Sequence, residues 1–305
     1  MWLLNGKKSE VSNARLENRA VRALGAAIRF KKPNITASPL ILASPHSGRV
    51  YPEAFLQMSK LSPDQLRIGE DAYVDELIAP LAQFGIPVLS ADFPRCFVDV
   101  NRAPDEIPPE YEPKTFKSKT PISSRARAGL GVVPSKIAQN LEIYKKPLTP
   151  AQVKVRIDRF YRPYHEKLTK LLNEAQHRCG RALLIDCHSM PGRGPNGEKR
   201  ADIILGDRFG RSCRPDITTH FEQIFRSLGY SVIRNHPYAG GYVTHYYGNP
   251  DMKVDAIQIE INKDLYLNSA TMEPHAGMKL LQSNFEKAIL RVLERIEPVV
   301  DIAAQ

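Results

Sequence analysis

From residue 39 onward, short apolar runs alternate with longer stretches whose apolar positions recur at helical spacing. "PLILAS" (39–44) is a continuous apolar run of strand length, the pattern of a strand buried on both faces. "IPVLSA" (86–91), "CFVDV" (96–100), 181–186, "ADIILG" (201–206), "YSVIRN" (230–235) and "DAIQIEIN" (255–262) are predicted strands on the same grounds. Ser62-Pro63-Asp64-Gln65 predicts a helix start, with Pro at the first helical position and a Ser-x-x-Gln capping pattern, and Gly85 predicts its stop after about Phe84. A long helix is expected between Pro150 and Gly180, another around 214–228, and a last one from about 275 to 296. Strands and helices interleave with no internal repeat and no linker. That order predicts one α/β domain whose mixed, mostly parallel central sheet is flanked by helices. Residues 1–37 read as a polar lead-in with a helix around Arg15 to Ile28, and 38–305 as the domain itself.

Two of the predicted strands run straight into a histidine. "LILASPHSG" ends in Pro45, His46, Ser47 and Gly48, and "LLIDCHSM" ends in Asp186, Cys187, His188 and Ser189. A single histidine after a strand is more often a loop or capping residue than a ligand. Two in matching positions, beyond the carboxyl ends of parallel strands where α/β sheets bind ligands, point to a shared site. Neutral imidazole suits zinc, and a catalytic zinc takes three protein ligands and keeps a fourth position open. "GEDAYVDEL" offers Glu70, Asp71 and Asp75 as acids, and Asp71 and Asp75 would share a face if the helix runs through them. The same acids would serve equally as a solvated helix face.

In "IQIEIN", Ile257, Ile259 and Ile261 alternate with Gln258, Glu260 and Asn262, which puts the polar three on one sheet face. Glu260 then lines either the wet side of an edge strand or the wall of an active site, where it could act as a general base. "FPRCFVDVNRAP" places Arg95, Asn101 and Arg102 together, and Arg49 follows the first histidine. Guanidinium groups match carboxylates bidentately, so these are candidate substrate contacts. The Gly-Tyr loop "NHPYAGGYVTHYYG" carries Tyr238, Tyr242, Tyr246 and Tyr247 and reads as a packed turn or as a cover over a ligand. Residues 103–124, rich in Pro, Lys and Glu, read as a mobile excursion.

Composition narrows the function classes. No apolar run reaches the roughly 20 residues of a membrane span. The four cysteines make no CxxC pair, which suits reduced thiols in a cytoplasm. The net charge of +10 is scattered rather than striped with aromatics, so it fits an acidic small-molecule substrate at least as well as nucleic acid. "GRGPNG" (192–197) spells a dinucleotide fingerprint, but Pro195 interrupts it and a strand follows. There is no GxSxG elbow and no HExxH.

Taken together, "SPHSGRVYP", "EDAYVDEL", "FPRCFVDVNRAP", "LLIDCHSM", "NHPYAGGYVTHYYG" and "IQIEIN" resemble the N-formylglutamate amidohydrolase family, in the right order from about residue 38 to 290. The resemblance implies a zinc carboxypeptidase-like fold and a one-zinc hydrolase that cuts an amide beside an acidic amino acid. By the same resemblance His46 and His188 are metal ligands, Glu260 is the general base, and Asn101 with Arg102 holds a substrate carboxylate. Arg95, Arg49 and Tyr242 are added as substrate contacts. The relatives carry an acidic ligand three residues after the first histidine, where this chain has Arg49, so Asp71 is expected to complete the metal site, with Glu70 next. The implied reaction is hydrolysis of N-formyl-L-glutamate, the end of one histidine-degradation route. A broader N-acyl-amino-acid or small-peptide amidohydrolase is the alternative. A metal-free nucleic-acid binder on the same scaffold is more distant, since it has no use for these histidines and Glu260. No nucleic-acid or membrane partner is expected, and oligomeric state stays open, a monomer included.

Overall fold

A computed structural model describes residues 2–33, 38–111, 122–137 and 141–296, with backbone only for 2–12. The strands of its central sheet are β1 (Ile28–Lys31), β2 (Leu40–Ser44), β3 (Val88–Ala91), β4 (Ala182–Met190), β5 (Ile203–Gly206), β6 (Val232–Arg234) and β7 (Val254–Asn262), and Leu267–Asn268 pairs with Glu273–Pro274 in a separate two-stranded ribbon. The helices are α1 (Trp2–Leu24), α2 (Glu53–Met58), α3 (Pro63–Arg67), α4 (Val74–Ile78) and α5 (Ser124–Arg127). After these come α6 (Pro150–Arg156), α7 (Arg162–Cys179), α8 (Pro215–Ser227), α9 (Tyr242–Tyr247) and α10 (Gly277–Ile296). All seven strands join one sheet in the order β1-β3-β2-β4-β7-β5-β6. β2, β4 and β7 run parallel, β5 is antiparallel to β7, and β6 is parallel to β5, which is the mixed, mostly parallel sheet expected.

The chain groups into two compact units built from alternating segments. One comprises Phe30–Ser44, Asp71–Leu89 and Leu168–Gln305. Here the alternation along the strands does the sorting. Leu42, Leu183, Ile185, Cys187, Ile257, Ile259 and Ile261 share a core with Phe221, Phe225 and Phe285 of α8 and α10. Each large apolar side chain so buried contributes roughly 1.5–3 kcal/mol. The residues between them, Asp186 and His188 on β4 and Gln258 and Glu260 on β7, therefore face the other side of the sheet.

The other unit comprises Met1–Arg29, Pro45–Glu70 and Ser90–Lys167. Its centre is aromatic, with Phe55, Phe93, Phe97, Phe160 and Tyr144 in mutual ring contact. Buried among them, Arg156 of α6 bonds both carboxylate oxygens of Glu17 in α1 at 2.6 and 2.7 Å. It also donates to the Phe97 carbonyl and the Tyr144 hydroxyl, and its guanidinium lies 3.8 Å from the Phe97 ring centre. The N-terminal helix is thus fastened to the loop that carries residues 97 to 102.

Several local expectations change. The lead-in is a longer helix, closed by Gly25 at φ 61, and it is followed by the unpredicted strand β1 at one end of the sheet order. The predicted helix from 62 to 84 is broken. The Ser62/Gln65 capping box forms, but α3 ends at Arg67, and the chain re-enters a helix through Tyr73 in a left-handed conformation (φ 62). Residues 79–84, with Pro80 in the first turn, tighten to a 3₁₀ helix. "CFVDV" is no strand. The amides of Phe97 and Val98 fold back on the Pro94 carbonyl and that of Asp99 bonds Val132, so no ladder forms although Phe97, Val98 and Val100 are buried. The long helix after Pro150 passes through a wider π turn at 157–161, just before Pro163, which has no N–H for the turn behind it. Part of the Gly-Tyr loop is helical, as α9. Of the 103–124 excursion, 112–121 lies outside the described residues. Among the described residues no helix is long and apolar enough to cross a membrane.

Candidate active site

β4 continues to Met190, so His188 stands inside the strand rather than in the loop after it. Its parallel partner in register is Glu260 on β7, one step along from the pair Asp186 and Gln258. Residues in register on neighbouring strands point to the same face, which sets the carboxylate of Glu260 beside the imidazole of His188. β7 lies between β4 and β5 in the sheet and Glu260 is buried, so the edge-strand alternative for this residue is excluded. Gln258 donates to Glu260 Oε1 at 2.7 Å. His188 is held at both nitrogens, Nδ1 by Asp71 at 2.8 Å and Nε2 by Asp186 at 2.9 Å. Burial alone would lower its pKa, but the carboxylates of Asp186 and Asp71 outweigh it and hold the imidazole well above the ordinary histidine value.

Asp71 reaches His188 from the turn before α4, not from a helix, so the proposed face shared with Asp75 does not exist. Tyr238, in the loop after β6, packs against Met190, Ala201 and Ile204. Ile204 is paired with Glu260 across β5 and β7, so this small cluster lies on the same sheet face as Glu260 and His188.

His46 sits two residues beyond β2, in the loop Pro45–Gly48. Gly48 is required there because a Cβ would lie 2.1 Å from the Phe93 carbonyl oxygen, so the two loops pass in backbone contact. His46 Nε2 bonds Asp99 Oδ1 at 2.8 Å. Asp99 also accepts from the Asn101 amide and from Arg95, and Arg102 lies 4.0 Å away. Burial would raise the pKa of Asp99, but His46, Arg95 and Arg102 overcome that and hold it well below the usual carboxylate range. Sequence reading passed over Asp99. A lone acid inside the apolar run Phe97-Val98-Asp99-Val100 was the available signal, because a carboxylate buried there must find partners.

Among the described residues, one group of side chains could hold a metal ion: His46, Asp71 and His188, all buried, with one ligand atom from each lying within 4.8 Å of the others. Two imidazoles and a carboxylate are a donor set that suits a catalytic zinc. The alternative acid, Glu70, is instead engaged by Tyr51 at 2.7 Å and by Arg67, with Arg49 acting on it through its charge. Arg95 and Arg102 line a cavity of about 150 Å³ together with Lys136, Asp99 and Leu130. Arg102 is steadied by the carbonyls of Leu130 and Asn101. Tyr242 opens α9 and stacks on Tyr246.

The sequence pattern of the N-formylglutamate amidohydrolases matches residues 38–267, a span that contains all six motifs. The chain belongs to the N-formylglutamate amidohydrolase family. Two family enzymes named N-formylglutamate deformylase are similar to it. The one from Pseudomonas putida is 27% identical over 238 residues, covering 75% of this chain and 82% of the relative. The one from Pseudomonas aeruginosa is 26% identical over 246 residues, covering 79% and 85%. The crystal structure of an N-formylglutamate amidohydrolase from Ralstonia eutropha superposes with a TM-score of 0.83 at 35% identity, covering 89% of this chain and 98% of that one.

Proposed function

We propose that this chain is a zinc-dependent amidohydrolase that converts N-formyl-L-glutamate to formate and L-glutamate, the closing step of one route of histidine degradation. The observation that carries this is the buried His46, Asp71 and His188 group, with Glu260 in register beside His188, in a chain of this family. Zinc held by those three residues would polarise the formyl carbonyl and lower the pKa of water toward ~7.

The chain's own residues do the rest. Asp99 and Asp186 orient the two imidazoles from their far nitrogens, fixing tautomer and ring direction. His188 must give up the proton that its two carboxylates favour before it can ligate, so metal binding releases a proton. Glu260 accepts a proton from the attacking water and returns it to the leaving nitrogen. The oxygen of water ends on formate, the C–N bond breaks, and the amine of glutamate carries the proton. Asn101 and Arg102, with Arg95 and Arg49, hold the α-carboxylate, and Tyr242 covers the substrate.

Glutamate release from N-formyl-L-glutamate, with zinc added and again after chelation, tests the proposal. Rapid release that chelation abolishes is expected. A folded, zinc-loaded protein that releases no glutamate would refute the deformylase assignment.

A further inference from the structure

Arg200 precedes β5, on the loop that joins it to the end of β4, and it is half-buried. Its Nη1 donates to the Tyr238 hydroxyl at 2.8 Å and to the Pro191 carbonyl at 3.4 Å, and its guanidinium carbon lies 5.3 Å from the centre of the Tyr238 ring. These contacts hold the cation in one place. Among the described residues no carboxylate pairs with it, in contrast to Arg95, Arg156, Arg214 and Arg234. Its contacts use Nη1, so the edge formed by Nε and Nη2, which grips a carboxylate as a fork, faces no protein acid.

Tyr238 places this cation on the working face of the sheet. It packs on Met190, Ala201 and Ile204, and Ile204 is the cross-strand neighbour of Glu260. Burial raises the pKa of the Tyr238 hydroxyl, the adjacent Arg200 pulls it down, and the carboxylates of Glu260 and Asp71 push it up.

An N-acylated acidic amino acid brings two carboxylates. The reading above assigns the α-carboxylate to Asn101 and Arg102, and the other needs a cation of its own. We propose that Arg200, steadied by Tyr238, binds the side-chain carboxylate of the substrate and so selects acidic over neutral N-acyl amino acids. This inference rests on the amidohydrolase reading of the same site.

The test compares wild type, Arg200→Met and Arg200→Lys on N-formyl-L-glutamate and N-formyl-L-glutamine, which differ in that one charge. In Arg200→Met the kcat/KM ratio of the first substrate to the second is expected to fall roughly ten- to a hundredfold, mostly through KM. Arg200→Lys should restore part of it. A ratio within about twofold of wild type in a folded, metal-loaded Arg200→Met protein would overturn the proposal. Equilibrium binding of L-glutamate and L-glutamine to the same proteins separates the two levels. If wild type hydrolyses neither substrate, the deformylase reading fails. Arg200 is then still supported by a glutamate preference that the Met variant loses, and overturned by equal affinities for the two amino acids.

Discussion

At the scale of single residues, three carboxylates and an amide each hold another side chain of the site in place. Asp99 fixes His46, Asp186 and Asp71 fix His188, and Gln258 steadies Glu260. Two substitutions separate orientation from chemistry. Glu260→Gln keeps the shape of the side chain and removes the proposed base. Metal content should stay that of wild type while kcat falls by roughly 10²–10⁴. A kcat near wild type in a metal-loaded sample would take Glu260 out of the mechanism. Asp99→Asn keeps the shape of the side chain but weakens the acceptor on His46 Nε2. Zinc affinity, measured by competition with a chelator, should fall about 10–100-fold. An unchanged affinity would mean that Asp99 serves Arg95 and the Asn101 amide instead. His46, His188 and Glu260 were legible in the sequence because they interrupt or alternate with apolar runs. Asp99 was not read, since its partners come from residues 46 and 95 and from the backbone at 101.

At the scale of elements, α1 has a role that its polar sequence did not announce. Glu17 and Arg156 are 139 positions apart and fully enclosed, and the arginine also supports the Phe97 carbonyl in the loop that carries Asp99 and Arg102. Removing one member leaves a buried charge uncompensated. Glu17→Ala should therefore cost about 3–5 kcal/mol in urea unfolding. A loss under about 1 kcal/mol would show that solvent reaches Arg156 and that α1 is not needed to neutralise it. The capping box at Ser62 and the helix stop at Gly85 followed from local rules. The break between α3 and α4 did not, because the left-handed Tyr73 is held by packing around it rather than by its own preference.

At the scale of the whole molecule, the cysteines report on burial. Cys96 is buried and its thiol is pushed up to about 12 by that burial. Cys187 and Cys213 are likewise buried and raised well above the usual value, first by burial and then by Asp186 and Asp255. Cys179, at the end of α7, is partly exposed. A thiol reagent at neutral pH should titrate one cysteine rapidly in the native protein and all four after denaturation. Fast reaction of a second thiol in the folded protein would contradict the burial described for Cys96, Cys187 and Cys213.

The sequence by itself determined the α/β class, most of the strands, the two histidines and the alternation that sets Glu260 apart from its isoleucines. These are properties of short segments, whose apolar period and capping residues act over a few positions. Only the tertiary structure decided which acid faces His188, that β7 lies inside the sheet and not at its edge, and that Asp99 backs His46. Each of those depends on strand order and on side chains far apart in the chain, and the choice of Asp71 over Glu70 turns on a one-residue difference in direction at a turn. Neighbouring residues in such a turn point to different sides, and only the packed backbone says which side holds the histidine.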